Sequence, residues 1–167
     1  MTKDKLKISM FGHKHMLSRE GGVEIVVKEL ATRMASKGHQ VTVYDRSTSY
    51  VFGAESAQRN EYKGVKIIPV WTIKKKGLSA MTSSFIAAWK ASLSDADVVH
   101  IHAEGPAAMS WLPKLFHKKV IVTIHGLDWQ RAKWGGFASW YIRQGEKMAV
   151  KWADHIIVVL EKHSVII

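Results

Sequence analysis

The sequence predicts an α/β protein: a Rossmann-like, doubly wound and mostly parallel sheet with helices on both faces. Short apolar runs with the length of strands alternate along the chain with longer segments whose apolar residues recur at helical spacing. Strands that alternate with helices form right-handed βαβ units around a parallel sheet. The 167 residues fit one domain, and a hydrophobic content of 47% is ordinary for a globular protein.

The first strand and the first helix show this pattern most clearly. The apolar run Leu6–Phe11 predicts a buried strand. Apolar residues then recur at i, i+3, i+4, i+7 and i+11 from Val23 to Met34, which is typical of an amphipathic helix. Gly38 is expected to end this helix as its C′ residue.

The rest of the chain continues the alternation. Five further runs are predicted to be strands: Gln40–Asp45, Val65–Val70, Asp97–His102, Lys119–Ile124 and His155–Leu160. Three further segments are predicted to be helices: Ser79–Leu93, Ala107–Phe116 and Phe137–Ala153. In the first of these helices, four side chains are expected to share one face: Met81, Phe85, Ala88 and Trp89. The polar segment Ser47–Tyr62 is expected to be a surface loop.

The chain is strongly basic, with 25 lysines and arginines against 14 acidic residues and a net charge of +11. Such a surface favours anionic partners, which include nucleic acid, phosphorylated substrates and acidic lipid. The densest basic run, Lys74–Lys76, is shorter than the roughly 5–8 residues of a nucleic-acid patch. We therefore expect no nucleic-acid partner.

The sequence predicts a cytoplasmic protein. No apolar stretch approaches the roughly 18 residues of a membrane span. The apolar core near the N-terminus, Ile8–Phe11, is shorter than the roughly 7 residues that a signal peptide needs. The absence of cysteine excludes disulfides and thiolate metal sites and suits a reducing compartment. Any contact with a membrane is expected to be peripheral, at its inner face.

The loop Gly12–Gly22 is the first candidate site, because it leads from the first strand into the first helix. Glycines at a helix N-terminus let backbone N–H groups approach an anion, whose charge the helix dipole favours. The fingerprints G-x-G-x-x-G and G-x-x-x-x-G-K-[ST] are absent, which disfavours a dinucleotide site and a P-loop. The alternative is that Gly21-Gly22 is only a turn.

Histidines form the second candidate site. His100 and His102 alternate along a strand and therefore point to the same face. We expect His102 to reach the crevice beyond the carboxyl ends of the strands, and His100 to pack under a helix. His125 and Gly126 end the next strand, before a loop rich in Trp and Arg. Nothing in the spacing fixes the tetrahedral geometry of a zinc site, so no metal is expected.

The motifs also limit the chemistry. The G-x-S-x-G elbow of serine hydrolases is absent, and no carboxylate pair stands out for glycoside hydrolysis. What remains is a crevice lined by imidazoles, backbone amides and indoles. Aromatic faces with a few polar donors suit sugars, and amides with Arg and Lys suit phosphate.

Four segments carry a more specific pattern: SREGGVEIVVKELATRMASKGHQVTVYDR, DVVHIH, VIVTIHGLDWQRAKWG and EKMAVKWADHIIVVLE. Together they resemble the N-terminal half of family 4 glycosyltransferases, which have the two-Rossmann (GT-B) fold. The resemblance extends from about Lys7 to Glu161, and its most specific parts are G-G-x-E and H-G-L-D-W. It implies that residues 1–167 form the N-terminal domain and that the C-terminal, donor-binding domain lies outside this chain.

The resemblance implies transfer of a sugar from a nucleotide-sugar to a glycan or lipid-linked acceptor, with retention at the anomeric carbon and without a metal or other cofactor. Surface polysaccharide or glycolipid synthesis is the implied setting, with peripheral contact to an anionic membrane. His125 is the implied catalytic residue and faces the transferred sugar. Gly21, Gly22 and Gly126 are expected near the phosphates and sugar of the donor. The implied acceptor-binding residues are His102, Asp128, Trp129, Arg131 and Arg19.

The chain also departs from the family pattern. The paired glutamates of the donor-binding half are absent, and Leu160-Glu161 stands where the family has a serine after the sixth strand. We therefore expect an acceptor-side domain that is not active alone. Two alternatives remain open: a non-enzymatic module of the same fold that binds nucleotide, phosphate or nucleic acid, and a membrane-surface domain without sugar chemistry.

Overall fold

The computed structural model describes residues 5–19, 21–46, 60–75, 78–126, 135–159 and 164–165. Eight strands lie in these ranges: β1 (Lys7–Phe11), β2 (Gln40–Arg46), β3 (Glu61–Tyr62), β4 (Val65–Val70), β5 (Val98–His102), β6 (Lys119–Ile124), β7 (His155–Val159) and β8 (Ser164–Val165). Five helices lie in them as well: α1 (Gly22–Ser36), α2 (Leu78–Leu93), α3 (Glu104–Ala107), α4 (Trp111–Leu115) and α5 (Gly136–Trp152). None of these helices is long and apolar enough to cross a membrane.

All of the described strands join one sheet, in the order β3-β4-β2-β1-β5-β6-β7-β8. The six central strands are parallel, and β3 and β8 pair antiparallel at the two edges. The chain builds the β2–β4 side first and then returns to place β5 on the other side of β1. The strand order therefore reverses between β1 and β5, where such sheets open a crevice beyond their carboxyl ends. The predicted Rossmann-like fold is confirmed.

The first helix ends as predicted. Gly38 has a φ of 89° and donates its N–H to the carbonyl of Ala35 at 2.9 Å. The next N–H, of His39, bonds to the carbonyl of Met34 at 3.2 Å. These two bonds form a Schellman motif, in which glycine at C′ takes the left-handed conformation that satisfies the last carbonyls of the helix.

The buried face of α2 differs from the expected one. Phe85 and Trp89 are each 46% exposed. The buried positions are instead small residues: Ser83, Ser84, Ala87, Ala88, Ala91 and Ser92. Small side chains let the helix approach the sheet closely. The serine hydroxyls bond to backbone carbonyls one turn earlier, as Ser92 does to Ala88 at 2.7 Å, so their burial leaves no hydroxyl unpaired.

Two predicted boundaries were also wrong. In place of the single helix expected at Ala107–Phe116 there are two short helices, α3 and α4. One continuous helix would need a hydrogen bond from the N–H of residue 113, and Pro113 has no N–H. The segment before β4 contains the short strand β3, which pairs with it through a tight turn. Lys63 and Gly64 have φ values of 46° and 77° in that turn, as a two-residue hairpin requires.

The helix α5 packs against α3 at very short range. A Cβ atom on Gly145 would collide with the carbonyl oxygen of Glu104 and would lie 3.4 Å from the amide nitrogen of Ala108. Only glycine therefore fits at this crossing. The contact brings the N-terminal part of α5 over the carboxyl edge of the sheet, where the candidate site lies.

The Gly145 contact predicts a stability difference between two glycine substitutions in α5. Gly145→Ala is expected to lower the free energy of unfolding by about 1–3 kcal/mol, because the added methyl group has no space. Gly136→Ala is the control: a Cβ there meets none of the described atoms within 4 Å. It should be neutral or slightly stabilising, since alanine is the better helix former. Urea unfolding followed by circular dichroism measures both, and equal losses in the two variants would contradict the packing.

Candidate functional site

The loop after β1, residues 12–19, is fixed to the end of β2 and is called the β1 loop here. The carboxylate of Asp45 accepts a hydrogen bond from the backbone N–H of Met16 at 3.1 Å and lies 2.7 Å from Nε2 of the buried His13. The N–H of Arg46 donates to the carbonyl of Lys14 at 2.8 Å. These bonds hold the β1 loop in one conformation although it is not a helix or a strand.

The same loop begins with a close approach to β5. Gly12 has a φ of 114°, and a Cβ atom on it would collide with the carbonyl oxygen of His102. Glycine is therefore required both by the left-handed backbone and by the space. This contact places the start of the β1 loop directly against the end of β5.

Three histidines meet at this point. The rings of His100 and His102 are stacked, with centroids 4.2 Å apart and planes at 28°. Nδ1 of His102 lies 3.2 Å from Nε2 of His125, which follows β6. His100 is buried and its Nε2 lies 2.7 Å from the hydroxyl of Thr123. His102 itself is fully buried, so it reaches the edge of the crevice only through His125.

The buried imidazoles are neutral at physiological pH. Burial, together with the nearby His125, lowers the pKa of His100 to about 4. Burial also holds the pKa of His102 well below its ordinary value, with His100, His125 and His13 adding to the effect. When two neutral imidazoles are hydrogen-bonded, one of the facing nitrogens carries the proton and the other accepts it.

The tautomer of His102 follows from its other nitrogen. Within the described residues, Nε2 of His102 is buried without a hydrogen-bond partner. A buried N–H without an acceptor is costly, so the proton belongs on Nδ1, where His125 accepts it. His125 is thereby held in one orientation by a buried neighbour.

Backbone strain marks the next residue. Ala103 adopts a φ of 75° and a ψ of 156°, a region that residues other than glycine rarely occupy. Its N–H bonds to the carbonyl of Thr123 at 2.8 Å, which helps to hold the conformation. Strained positions of this kind cluster at functional sites because the surrounding structure must maintain them.

The two glycines at the start of α1 differ in the space that the surrounding structure leaves for a side chain. The carboxylate of Glu24 folds back over Gly21, where a Cβ would collide with it, and its Oε1 accepts the N–H of Lys14 at 3.1 Å. A Cβ on Gly22, in contrast, would meet no described atom within 4 Å. Gly22 is therefore an exposed helix start that the fold alone does not require to be glycine.

A cavity of about 460 Å³ opens at the reversal of the strand order. It is bordered by the β1 loop, the end of β2, the start of α2, the β5–α3 junction and the start of α5. Its lining residues are Gly12, Lys14, Arg46, Leu78, Ser79, Ala80, Met81, Ala103, Gly105, Pro106, Phe137, Ala138, Tyr141 and Ile142. The position of Arg46 directly after the predicted strand Gln40–Asp45 was a signal that could have identified it, whereas the sequence contains no signal for Tyr141.

The predicted site residues fall into three groups. His102 and His125 are in contact, and Gly22 follows the β1 loop at the same carboxyl edge of the sheet as His125. Arg19 is exposed and does not line the cavity, and Gly126 has a φ of 101° with no described atom near its Cβ position. Three predictions lie outside the described residues: Asp128, Trp129 and Arg131. In the part of the chain that the structure describes, no three His, Asp or Glu residues are placed to hold a metal ion.

Comparison with known proteins adds a family match and two similar folds. A sequence model of Glycosyltransferase Family 4 matches residues 20–163. No curated protein matches the chain. Sucrose-phosphate synthase from Thermosynechococcus elongatus superposes with a TM-score of 0.69 at 17% identity over 90% of this chain and 41% of that one. Anabaena HepE, in complex with UDP and glucose, superposes with a TM-score of 0.59 at 11% identity over 90% of this chain and 37% of that one. The chain thus spans less than half of either structure, and identities this low show the fold alone.

The buried histidines predict a loss of stability in acid. The pKa of His100 is about 4 in the folded protein, below its ordinary 6.5, so the unfolded chain binds more protons between these values. The free energy of unfolding should therefore fall as the pH falls from about 6.5 towards 4, by on the order of 3 kcal/mol from His100 alone. Urea titrations at several pH values measure this dependence.

The variant His100→Gln removes the titrating ring and is the matched comparison. It should show a shallower decline over the same pH range than the unsubstituted chain. Parallel curves for the two proteins, or a flat curve for the unsubstituted chain between pH 7 and 5, would contradict the buried, neutral state of His100.

Proposed function

Since the chain belongs to glycosyltransferase family 4, we propose that it forms the acceptor-side half of an enzyme that transfers a sugar from a nucleotide-sugar to an acceptor. The observation that carries the proposal is that His125 and the N-terminus of α1 lie at the same carboxyl edge of the sheet. The strand order reverses at this edge, between β1 and β5. Open α/β sheets bind ligands at that position.

The N-terminus of α1 supports binding of the donor's phosphates. The first N–H groups of a helix have no carbonyl partner within the helix, and the dipole of this 15-residue helix favours an anion there. The space around Gly22 leaves room for a phosphate to reach the backbone. We propose that Gly21, Gly22 and Gly126 lie near the diphosphate and sugar of a donor that a second domain supplies.

His125 is the proposed catalytic residue. A neutral imidazole whose orientation is fixed suits a hydrogen bond to a hydroxyl of the transferred sugar, since such a bond need not be reorganised during the reaction. His102 supplies that fixed orientation through its Nδ1. We further propose hexosyl transfer with retention, which the anomeric configuration of the product, read by NMR, would test.

The acceptor is proposed to be a glycan or a lipid-linked molecule of surface polysaccharide or glycolipid synthesis. The chain alone is expected to be inactive, because donor binding requires the second domain. A peripheral contact with an anionic membrane stays a prediction. Its candidate residues are the exposed Phe85 and Trp89 of α2, and co-sedimentation with anionic vesicles would measure it.

The catalytic proposal predicts the effect of His125→Ala. The chain is joined to a donor-binding domain of the same family, and sugar transfer is measured with radiolabelled nucleotide-sugar. Loss of the His125 ring should lower turnover by about 10²-fold or more, the usual cost of removing one positioned hydrogen-bond group at a reacting centre. Thermal unfolding checks that the variant is folded.

His155→Ala is the control for this experiment. His155 is exposed and is the first residue of β7, so it lies away from the carboxyl edge of the sheet where His125 lies. It should leave transfer unchanged. Equal activity of His125→Ala and the unsubstituted protein would remove His125 from the site, and no transfer by any fusion would count against the glycosyltransferase proposal as a whole.

A further inference from the structure

The cavity at the reversal of strand order has two chemically different sides. We propose that it binds an anionic amphiphile, with a phosphate group at Arg46 and Lys14 and an aliphatic or aromatic body against α2 and α5. The inference rests on the proposed function, since it names the chemical class of the acceptor.

The apolar side comes from the starts of two helices. Leu78 and Met81 of α2 and Phe137 and Ile142 of α5 line it, with Pro106 of α3 beside them. Leu78 is 41% exposed and Phe137 is 66% exposed, although each borders a concave surface. Large apolar side chains around a cavity give binding energy to an apolar ligand in proportion to the area that leaves water.

The basic side comes from the ends of β1 and β2. Arg46 is half-buried, and within the described residues its Nε is shielded from solvent without a hydrogen-bond partner. A guanidinium N–H without an acceptor is costly, and a phosphate oxygen would satisfy it with a charge-assisted bond. Lys14 adds a second positive charge on the same side, whereas Glu24, which interacts electrostatically with Arg46, offsets one of them. Among Arg46, Lys14 and Glu24 the balance is one positive charge. The carboxylate of Asp45, which is not part of the cavity lining, contacts the β1 loop instead.

A second polar group lines the same cavity. The hydroxyl of Tyr141 on α5 is buried and has no hydrogen-bond partner in the ranges that the structure describes. Burial raises the pKa of Tyr141 to about 12, so the group remains an O–H donor. Two donors without acceptors in the described ranges, on residues that line one cavity, are consistent with a ligand that carries oxygen atoms as well as an apolar body.

The size and place of the cavity agree with an acceptor. Its volume of about 460 Å³ lies within the roughly 300–1,000 Å³ of small-molecule pockets. Gly12 lines it and contacts His102, which in turn bonds to His125. The cavity is thus linked to the proposed catalytic His125 through Gly12 and His102, and its lining includes neither His125 nor Gly22, the proposed phosphate position of the donor.

Octyl phosphate below its micelle concentration tests the inference on the chain itself. Isothermal titration calorimetry compares it with two partial probes: inorganic phosphate, which lacks the apolar body, and octyl glucoside, which lacks the charge. Octyl phosphate should bind at least about tenfold more tightly than either, because it uses both sides of the cavity.

Three variants locate the binding. Arg46→Met keeps the length of the side chain and should weaken octyl phosphate binding about tenfold or more, the usual effect of losing a charged hydrogen bond. Tyr141→Phe removes one oxygen and should weaken it severalfold, and it keeps the test decisive should Arg46→Met fail to fold. Arg33→Met removes an exposed arginine at the far end of α1 and should leave the affinity unchanged.

Several outcomes would overturn the inference. They are equal affinity for octyl phosphate and either partial probe, unchanged affinity in both Arg46→Met and Tyr141→Phe, and displacement of octyl phosphate by an equal concentration of uridine diphosphate, which would assign the cavity to the donor. The proposed function is judged separately by the transfer assay. Transfer that depends on His125 without octyl phosphate binding refutes the amphiphile alone, and octyl phosphate binding without transfer by any fusion refutes the function alone.

Discussion

The backbone contact between Gly12 and His102 is the constraint on which the candidate site depends. The ends of β1 and β5 lie so close that no side chain fits at Gly12. The β1 loop must therefore leave its strand across the end of β5, where Asp45 then anchors it. The end of β5, covered in this way, carries a fully buried imidazole and a strained alanine directly after it. The cavity lies next to this junction, since Gly12 and Ala103 both line it.

The charges at this edge are arranged in two layers. Beneath the surface, burial keeps His100 and His102 neutral, so they act as shaped hydrogen-bonding groups without charge. Above them, the basic side chains of Arg46 and Lys14 border an apolar cavity. A neutral interior under a positive border suits a ligand that brings negative charge to the edge of the sheet and leaves the core dry. The positive net charge of the chain is consistent with such a ligand.

Much of the fold and part of the site could be predicted because their signals are local. The alternation of strand and helix periods predicted the fold class. The carboxyl ends of parallel strands lie at one edge of the sheet, which predicted that His102 and His125 would both lie near that edge. The end of α1 at Gly38 was predictable for the same reason: one residue type suits one backbone conformation. The buried face of α2 was not, because hydropathy favoured Phe85 and Trp89, while close packing against the sheet selected serine and alanine.

The cavity could not be predicted from sequence because its lining comes from five separate segments. Arg46 and Tyr141 line one cavity only once α5 is packed in place, and that packing depends on the absence of a side chain at Gly145. No periodicity records a contact of that kind. The hairpin at Lys63-Gly64 is a different case. Its glycine is a turn signal in the sequence, but the polar character of the segment before it favoured a loop over a strand.

The most direct measurement is the NMR spectrum of the histidine rings in Gly12→Ala, with Gly64→Ala as its control. Both glycines have positive φ values, 114° and 77°, so both substitutions carry backbone strain, but only a Cβ on Gly12 collides with His102. We expect Gly12→Ala to shift the ring signals of His102 and His125, because the end of β5 must move, and Gly64→Ala to leave them in place. Ring signals that are the same in Gly12→Ala and the unsubstituted chain would show that the contact between Gly12 and His102 does not position the end of β5.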